Sequence, residues 1–324
     1  MNTVFTRLIT TTLILLSLAG FAFANGEVED NAFPSKTITY MIPFNPGGQS
    51  DITAQYQKEI LEEELGVSVV IKYIAGAGGA VGWSTLAKTK PDGYTISGNN
   101  LPHIIAQPLV REDAGYETEQ LQPLYLFQTT PIGLTVLKDS RWNNLEEFIA
   151  YAKANPGAVT IGGSGTYSGH HIAYLMLQQL TGAEFTYIAS TGAAPSVANF
   201  LGGHTDALFA NSNDLVTHKD DIIVLGMGTA ERFSLLPNAP TFIEQGLNMK
   251  AGIDRGVCVP AGTPAEEMEI LEAAFRKVCT DPAFMAKMEE MGMVVQNMGA
   301  AEYKAYIEET TETYRAILEQ LGVI

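Results

Sequence analysis

The sequence predicts an α/β fold of two domains, with mixed, mostly parallel sheets flanked by helices. Three observations predict it. The chain has 324 residues, which is too long for one ordinary hydrophobic core and suits two domains of typical size. Strand patterns alternate with helical patterns, which indicates βαβ units. The hydrophobic content of 46% and the charged content of 17% are values of globular proteins.

The N-terminus is predicted to be a secretory signal peptide over residues 1–24, cleaved after Ala24. Arg7 supplies a positive charge, residues 8–19 form a short apolar run, and residues 22–24 read as an A-x-A cleavage signal. A membrane anchor is the alternative, but a span needs about 20 apolar residues and this run is shorter. We therefore expect an exported protein.

The charge of the chain restricts its partners. The formal net charge is −17, from 19 Lys and Arg against 36 Asp and Glu. This balance argues against nucleic acid and anionic membranes, because both bind clustered Lys and Arg. An anionic ligand would be repelled by the global field. Its site must therefore be built locally, from backbone N–H groups and helix N-termini.

The two cysteines, Cys258 and Cys279, leave two alternatives open. An oxidising compartment permits a disulfide between them. The other alternative is two separate buried thiols. A disulfide depends on the distance between the two Cα atoms, which the sequence does not give.

The first domain is predicted from residues 33–131 together with residues 249–324. Its strands are predicted at 38–42, 67–71, 94–96 and 256–260. Its helices are predicted at 51–65, 264–280 and 301–321, with a short one after the glycine loop 76–82. The C-terminal helices are expected to have no sheet of their own and to fold back onto this domain.

The second domain is predicted over residues 132–248, so that the chain crosses between domains near residues 131 and 248. Its strands are predicted at 133–137, 159–162, 185–188, 206–209 and 222–225. Its helices are predicted at 144–153, 170–180 and 195–201. Asn143 or Asn144 is the expected N-cap of the first of these helices.

Three junctions between a strand and a helix share one design, at residues 46–51, 163–169 and 191–194. Each is a loop of small residues, which lets a ligand approach the backbone closely. Free N–H groups at a helix start favour an anion, and ligands of open α/β sheets bind at the carboxyl ends of strands. Tight turns are the alternative for any one loop, but three in one chain favour a binding cleft.

Enzyme motifs are incomplete in this sequence. The segment 162–166 lacks the last glycine of a nucleophile elbow, and the segment 76–81 lacks the third glycine of a dinucleotide fingerprint. His170 and His171 are adjacent, so on a helix they point about 100° apart and do not chelate one ion. We therefore predict no catalytic residue, no metal and no cofactor. A hydrolase or isomerase that uses Ser164, His170 and Asp51 is the alternative.

Six motifs occur in order along nearly the whole mature chain. They are IPFNPGGQSD at 42–51, GAGGAVG at 76–82, KPDGYT at 90–95, GSGTYSG at 163–169, PTFIEQG at 240–246 and PAGTP at 260–264. Together they resemble the TctC or Bug receptors of tripartite tricarboxylate transporters. The sequence departs from the family's pattern at Gln55, at Tyr73 and Ile74, and over residues 189–192.

The resemblance implies a periplasmic binding protein with a Venus-flytrap fold and no enzymatic activity. Such a receptor closes two domains around a small organic carboxylate, either a di- or tricarboxylate or an aromatic acid. It then delivers the ligand to integral-membrane permease subunits. We expect a monomer. A ligand-sensing module for a histidine kinase shares the same binding chemistry and is the alternative.

The carboxylate is expected in a pincer of backbone amides, small hydroxyls and ordered waters. We expect Gly47 and Gly48 on one wall, and the loops 164–168 and 192–193 on the other. Asp51 is expected to act through ordered water, because direct contact would pair like charges. The predicted ligand-binding residues are Phe44, Pro46, Gly47, Gly48, Gln49, Asp51, Asn100, Ser164, Thr166, Ser168, His170, Thr191, Gly192, Ala193 and Asn211.

Overall fold

The computed structural model describes residues 32–324, so the predicted signal peptide and its cleavage site lie outside the described residues. Residues 36–324 form one compact unit. The strands are β1 (Ile38–Ile42), β2 (Val69–Tyr73), β3 (Thr95–Leu101), β4 (Leu121–Leu137), β5 (Thr160–Ser164), β6 (Thr186–Ser190), β7 (Ala207–Asn211), β8 (Ile222–Met227), β9 (Gly252–Pro260) and β10 (Val294–Gly299).

The helices lie between these strands or follow them. They are α1 (Gln49–Leu65), α2 (Ala80–Ala87), α3 (His103–Val110), α4 (Leu145–Ala154), α5 (Gly169–Thr181), α6 (Ala193–Leu201), α7 (Ser212–Thr217), α8 (Ala265–Thr280), α9 (Pro282–Glu290) and α10 (Ala300–Gln320). Asn144 is the N-cap of α4, and its side chain accepts a hydrogen bond from the Glu147 N–H at 2.9 Å. Within residues 32–324, no helix is both long and apolar enough to span a bilayer.

One long strand, β4, belongs to two sheets. Up to Pro131 it pairs with β9, and from Ile132 onward it pairs with β7 and β8. The first sheet has the order β2-β1-β3-β9-β4, with β10 also paired to β4. The second sheet has the order β4-β7-β5-β6, with β8 also paired to β4. The chain therefore passes from one sheet to the other without leaving the strand.

The predicted mixed α/β fold is confirmed. The parallel pairs are β1 with β2 and β3, and β5 with β6 and β7. The pairs made by β4 and β9 are antiparallel, so the antiparallel share is larger than expected. Parallel strands end at the same edge of a sheet, which places the loops before α1, α5 and α6 at strand ends.

Several strands extend beyond the sequence prediction, most of all β3, β4 and β9, and one strand was missed. β4 begins at Leu121, twelve residues before the predicted start, and Pro131 lies where the strand leaves one sheet for the other. β9 begins at Gly252, four residues before the predicted start. The missed strand is β10 in the C-terminal part, which joins the first sheet and forms no sheet of its own. β10 pairs antiparallel with β4 and contains an irregularity between Val295 and Met298.

The C-terminal helices pack on the first sheet. Phe275 of α8 lies edge-on to Tyr40 of β1 at 6.1 Å and stacks with Tyr125 of β4 at 6.2 Å between ring centroids. Tyr303 of α10 is fully buried, and its hydroxyl donates to Asn99 Oδ1 of β3 at 2.7 Å. The end of the chain is therefore tied to strands that are 150 or more residues earlier in sequence.

Cys258 and Cys279 are free and buried, which agrees with the alternative of separate thiols. Cys258 lies in β9 and Cys279 lies near the end of α8. Burial raises the pKa of both thiols, that of Cys279 to about 12. They are consequently protonated and unreactive at neutral pH.

Replacement of Tyr303 by Phe tests the docking of α10. The substitution removes one hydroxyl and leaves Asn99 Oδ1 buried without its donor, so we expect a loss of about 1–3 kcal/mol in the free energy of unfolding. Urea denaturation followed by circular dichroism measures it. Tyr56, which is 42% exposed, provides the control, and Y56F should change stability by less than about 0.5 kcal/mol. Equal stability of both variants would contradict the assigned docking.

Candidate functional site

The three small-residue loops predicted from the sequence approach one another at one edge of the two sheets. A Cβ added to Gly48 would lie 3.9 Å from the Ala193 Cβ, which brings the loops before α1 and α6 into contact. Asn45 Nδ2 donates to Thr191 Oγ1 between the same two loops at 2.6 Å. The third loop meets the 76–82 glycine loop, where a Cβ added to Gly165 would lie 2.6 Å from the Gly78 Cα.

A small polar cavity lies where these loops meet. The volume open to the centre of a water molecule is about 20 Å³, which is room for about one water. The lining residues are Phe44, Gly48, Gln49, Ser50, Asn100, His103, Ser164, Ala193, Asn211, Ile253 and Arg255. Seven of these residues were predicted from the sequence. The other four, Ser50, His103, Ile253 and Arg255, were not.

A larger cavity of about 560 Å³ lies elsewhere, among α5, α10 and the segment 248–252. Its lining includes Met176, Tyr306 and Tyr314. Of the three predicted loops, only the loop 163–169 contributes to this lining, through Gly169. We assign the candidate site to the smaller cavity because strand-end loops converge there with buried polar groups, which is the pattern of ligand sites in α/β proteins.

The remaining predicted residues lie around the cavity without lining it. Pro46, Gly47, Thr166 and Thr191 are exposed at the loop surface. Ser168 is the N-cap of α5, where its hydroxyl accepts from the His171 N–H at 3.2 Å. The remaining three are Asp51 in the first turn of α1, His170 behind Ser164, and Gly192 at the N-cap of α6.

Asp51 holds the first loop in shape and does not line the cavity. Its Oδ2 accepts from the Gly47 N–H at 2.7 Å, so this N–H is already used within the protein. Its Oδ1 accepts from the Tyr73 hydroxyl at 2.7 Å and from Gln55 Nε2 at 3.1 Å. Tyr73 and Gln55 are two of the departures from the family's sequence pattern, and both contact this carboxylate.

Arg255 is the functional candidate that the sequence analysis missed. Its side chain extends from β9, is only 4% exposed, and lines the cavity. All its hydrogen-bond partners are neutral. They are Gln49 Oε1 at 3.1 Å and Thr130 Oγ1 at 3.2 Å from Nε, Ser50 Oγ at 2.9 Å and the Asn100 amide oxygen at 2.8 Å from Nη1, and Asn211 Oδ1 at 3.4 Å from Nη2.

No carboxylate of residues 32–324 lies within ion-pair distance of Arg255, although Asp214 and Asp254 are near enough to raise its pKa. Burial lowers the pKa of Arg255 to about 10, so the guanidinium still carries its charge at neutral pH. A buried charge without a counter-ion is costly, and such groups are usually paired. The positive charge of Arg255 therefore favours the binding of an anion in this cavity.

Gln49 adds a second donor in the same position. Its Oε1 accepts from Arg255 Nε, which fixes the orientation of the amide. Its Nε2 is buried and has no acceptor among the described residues. Gln49 is the first residue of α1, where free N–H groups and the helix dipole also favour negative charge. Arg255, Gln49 and the N-terminus of α1 thus lie together at one small cavity.

A hydrogen-bonded chain connects two residues that line the cavity, Ser164 and Asn211, through His170 behind them. Ser164 Oγ lies 2.9 Å from His170 Nδ1, and His170 Nε2 lies 3.2 Å from Asn211 Oδ1. Burial lowers the pKa of His170 to about 3, so the imidazole is neutral. Asn211 Nδ2 donates onward to Asp214 Oδ2 at 3.2 Å. The predicted pair of Ser164 and His170 is thus brought together, whereas Asp51 is bound elsewhere.

An aromatic cluster packs against the cavity, and two of its rings, Phe44 and His103, line it. The rings of Phe44, Trp83 and His103 meet edge to face, with centroids 5.9 to 6.2 Å apart. Burial lowers the pKa of His103 well below its ordinary value, and the nearby Arg255 lowers it further. His103 is therefore a neutral, apolar-packed ring at neutral pH. Its Nδ1 has no partner among the described residues.

Known proteins share the sequence pattern and the fold of this chain. Residues 53–323 match the model described as the tripartite tricarboxylate transporter family receptor, TctC. BugT of Bordetella pertussis is 26% identical over 322 residues, which cover 98% of each chain. The structure of the periplasmic binding protein BugD superposes with a TM-score of 0.85 at 25% identity, over 90% of this chain and 99% of BugD. An R. palustris protein solved with adipate gives 0.84 at 25% identity, over 90% and 98%.

The buried carboxyl of Asp214, which accepts a hydrogen bond from Asn211, makes the stability of the folded protein depend on pH. Burial raises the pKa of Asp214 to about 6, above its unfolded value of about 4. The folded state therefore binds the proton more tightly, and stability falls as pH rises from about 4 to about 6. Asp214→Asn does not titrate, so the stability of wild type relative to this variant should fall on the order of 1–3 kcal/mol across that window. Urea denaturation at several pH values measures the difference, and a flat difference would contradict the assignment.

Proposed function

The chain belongs to the tripartite tricarboxylate transporter receptor family of periplasmic solute-binding proteins, and we propose that its cavity captures a small organic carboxylate. The captured ligand would be handed to the integral-membrane permease subunits of such a transporter. A relative solved with adipate supports a carboxylate as the ligand class. We propose that the receptor acts as a monomer in the periplasm.

The observation that carries this proposal is the unpaired charge of Arg255. A guanidinium has five N–H donors, and the contacts of Arg255 leave one hydrogen of Nη2 without an acceptor among the described residues. Gln49 Nε2 offers a further donor beside it. A ligand carboxylate would supply both the missing negative charge and the missing acceptors. Hydrogen bonds to a charged group of this kind are the strong ones.

The helix starts strengthen the same preference. The cavity is lined by Gly48 and Gln49 at the start of α1 and by Ala193 at the start of α6. Aligned peptide dipoles place partial positive charge at these ends, and their effect is confined to the first turn. A local positive potential can therefore hold an anion although the whole chain carries a net charge of −17.

We propose that the ligand enters by a hinge motion between two domains, residues 33–131 with 249–324 and residues 132–248. The support is that β4 changes sheets at residue 132 and that the chain returns through β9 from residue 252. Each connection is a single pass of the chain, within β4 near residue 132 and just before β9 near residue 251. The cavity has room for about one water, so the loops must part before a carboxylic acid can enter. Closure around the ligand would then be favoured by contacts made only in the closed state.

Catalysis by Ser164 and His170 is not part of this proposal. In serine hydrolases the backbone N–H of the nucleophile helps to bind the oxyanion. Here the Ser164 N–H donates to His170 Nδ1 at 3.2 Å, so it is turned away from a reacting carbonyl. Asp51, the third residue of the alternative, is held by Gly47 and Tyr73. The contacts support binding better than chemistry.

Arg255→Gln tests the proposal when combined with a thermal-shift screen of mono-, di- and tricarboxylates, aromatic acids and acidic amino acids. A ligand at 100 times its Kd stabilises the folded wild type by about 2.7 kcal/mol, which the screen detects. The variant should bind the same ligand at least 100-fold more weakly by calorimetry, because it loses the only charge that lines the cavity. Its unliganded stability should also fall, because buried oxygens such as Gln49 Oε1 and Asn211 Oδ1 lose their donor, so the calorimetry is carried out at a temperature at which thermal melts show the variant to be folded.

The two readouts separate a binding role from a structural one. If Arg255 only supported the fold, R255Q would be strongly destabilised and its residual folded fraction would bind normally. That result, or a screen in which no carboxylate shifts the melting temperature of wild type, would contradict the proposed function. A ligand that lacks any anionic group would contradict it as well.

Gly165→Ala tests closure. An added Cβ would lie 2.6 Å from the Gly78 Cα, so the two loops could not approach as they do here. We expect the variant to lose the ligand-induced decrease in radius of gyration measured by small-angle scattering, and to bind at least tenfold more weakly. Gly182 provides a matched control because its φ of 66° resembles the 68° of Gly165 and no atom lies within 4 Å of an added Cβ.

Both variants carry the same backbone cost of a left-handed non-glycine residue, on the order of 1 kcal/mol. G182A should therefore lose stability but retain closure and affinity. Normal closure in G165A would show that the contact between residues 78 and 165 is not formed in the liganded state.

A further inference from the structure

The position of the hydrogen on Ser164 follows from the atoms around it. The backbone N–H of Ser164 donates to His170 Nδ1 at 3.2 Å, and the backbone geometry fixes where that hydrogen points. Nδ1 must therefore carry a lone pair and no hydrogen. A neutral imidazole has one N–H, so the hydrogen is on Nε2. Nε2 lies 3.2 Å from Asn211 Oδ1 and donates to it.

The Asn211 amide confirms this tautomer independently. Its Nδ2 donates to Asp214 Oδ2 at 3.2 Å, and its Oδ1 accepts from Arg255 Nη2 at 3.4 Å. An arginine can only donate and a carboxylate accepts, so the amide cannot be turned over. The oxygen that faces His170 therefore requires a donor there. The contacts of Nδ1 and of Nε2 therefore both place the His170 hydrogen on Nε2.

The hydroxyl of Ser164 is consequently a fixed acceptor. Its Oγ lies 2.9 Å from His170 Nδ1, which has no hydrogen to give, so Oγ donates its own and shares the Nδ1 lone pair with the Ser164 backbone N–H. Only the lone pairs of Oγ remain for the cavity that Ser164 lines. A carboxylate oxygen is also an acceptor and cannot form a hydrogen bond there. This differs from the expectation that small hydroxyls of this loop hold the carboxylate.

We propose that Ser164, held as an acceptor by His170 and Asn211, selects ligands that carry a hydroxyl group beside the carboxylate bound at Arg255. This inference rests on the proposed function. An ammonium group is the other common donor, but it would lie in a cavity whose lining includes a buried guanidinium and no acidic residue. Like charges in a desolvated site repel strongly. A neutral hydroxyl satisfies the acceptor without that repulsion.

Matched pairs of acids test the selection on the wild-type protein. The pairs are lactate with propionate and malate with succinate, and alanine and aspartate are the amino counterparts. For the pair whose chain length fits, calorimetry should show the hydroxy acid binding about tenfold or more tightly than the acid without the hydroxyl, because one hydrogen bond is gained and no buried acceptor is left unpaired. The amino acid should bind more weakly than the hydroxy acid.

Ser164→Ala removes the acceptor and leaves Arg255 in place. The variant should bind both members of the pair with similar affinity, and the acid without the hydroxyl should bind no more weakly than it does to wild type. Ser140→Ala, in a loop after β4, is the control and should keep the tenfold preference. Thermal melts establish that each variant is folded, and the wild-type comparison stands without them.

The outcomes distinguish this inference from the proposed function. If carboxylates bind but the hydroxyl gives no advantage, or if S164A keeps the preference, the role of Ser164 is wrong and the receptor function stands. Tightest binding of the amino acid would also overturn the hydroxyl assignment. If no carboxylate binds at all, the proposed function itself fails.

Discussion

The guanidinium of Arg255 connects parts of the chain that are far apart in sequence. It extends from β9 and donates hydrogen bonds to residues of α1, β3, β4 and β7. Strands of both sheets therefore surround one buried charge. Each contact is a hydrogen bond to a neutral oxygen, which solvates the charge without cancelling it. Replacing water by fixed dipoles in this way keeps a charge ionised inside a protein while leaving its field available to a ligand.

The polar residues around Arg255 follow from this constraint. Gln49 and Asn211 each turn an amide oxygen toward the guanidinium, and this fixes what their nitrogen atoms can do. The nitrogen of Gln49 becomes an unused donor in the cavity, whereas that of Asn211 donates to Asp214. One cation thus sets the direction of hydrogen bonds through several side chains. In a water-poor cavity such directions are retained, because a reversed group would leave a donor or acceptor unpaired.

The positions of the three small-residue loops could be predicted from the sequence, but the buried charge of Arg255 was not predicted. Glycines, small residues and strand endings are local signals, so the loops before α1, α5 and α6 were placed correctly. Arg255 was missed because β9 was predicted to begin one residue after it. Its neighbours Ile253, Val257 and Val259 alternate along one buried face, and this period of two was the available signal that Arg255 is also buried. The partners of Asp51 could not be predicted, because Tyr73 reaches it only through the pairing of β1 with β2.

Trp83 gives this protein a spectroscopic property that follows from its packing. Its indole is fully buried, donates to the Gly98 carbonyl at 2.9 Å, and lies against Phe44 and His103. Both of those rings also line the cavity, so a change there alters the surroundings of the indole directly. The chain has only one other tryptophan, Trp142, which packs with Phe148 in the core of the second sheet. A protein with Phe at position 142 therefore emits from one indole, whose fluorescence reports the state of the cavity without any added label.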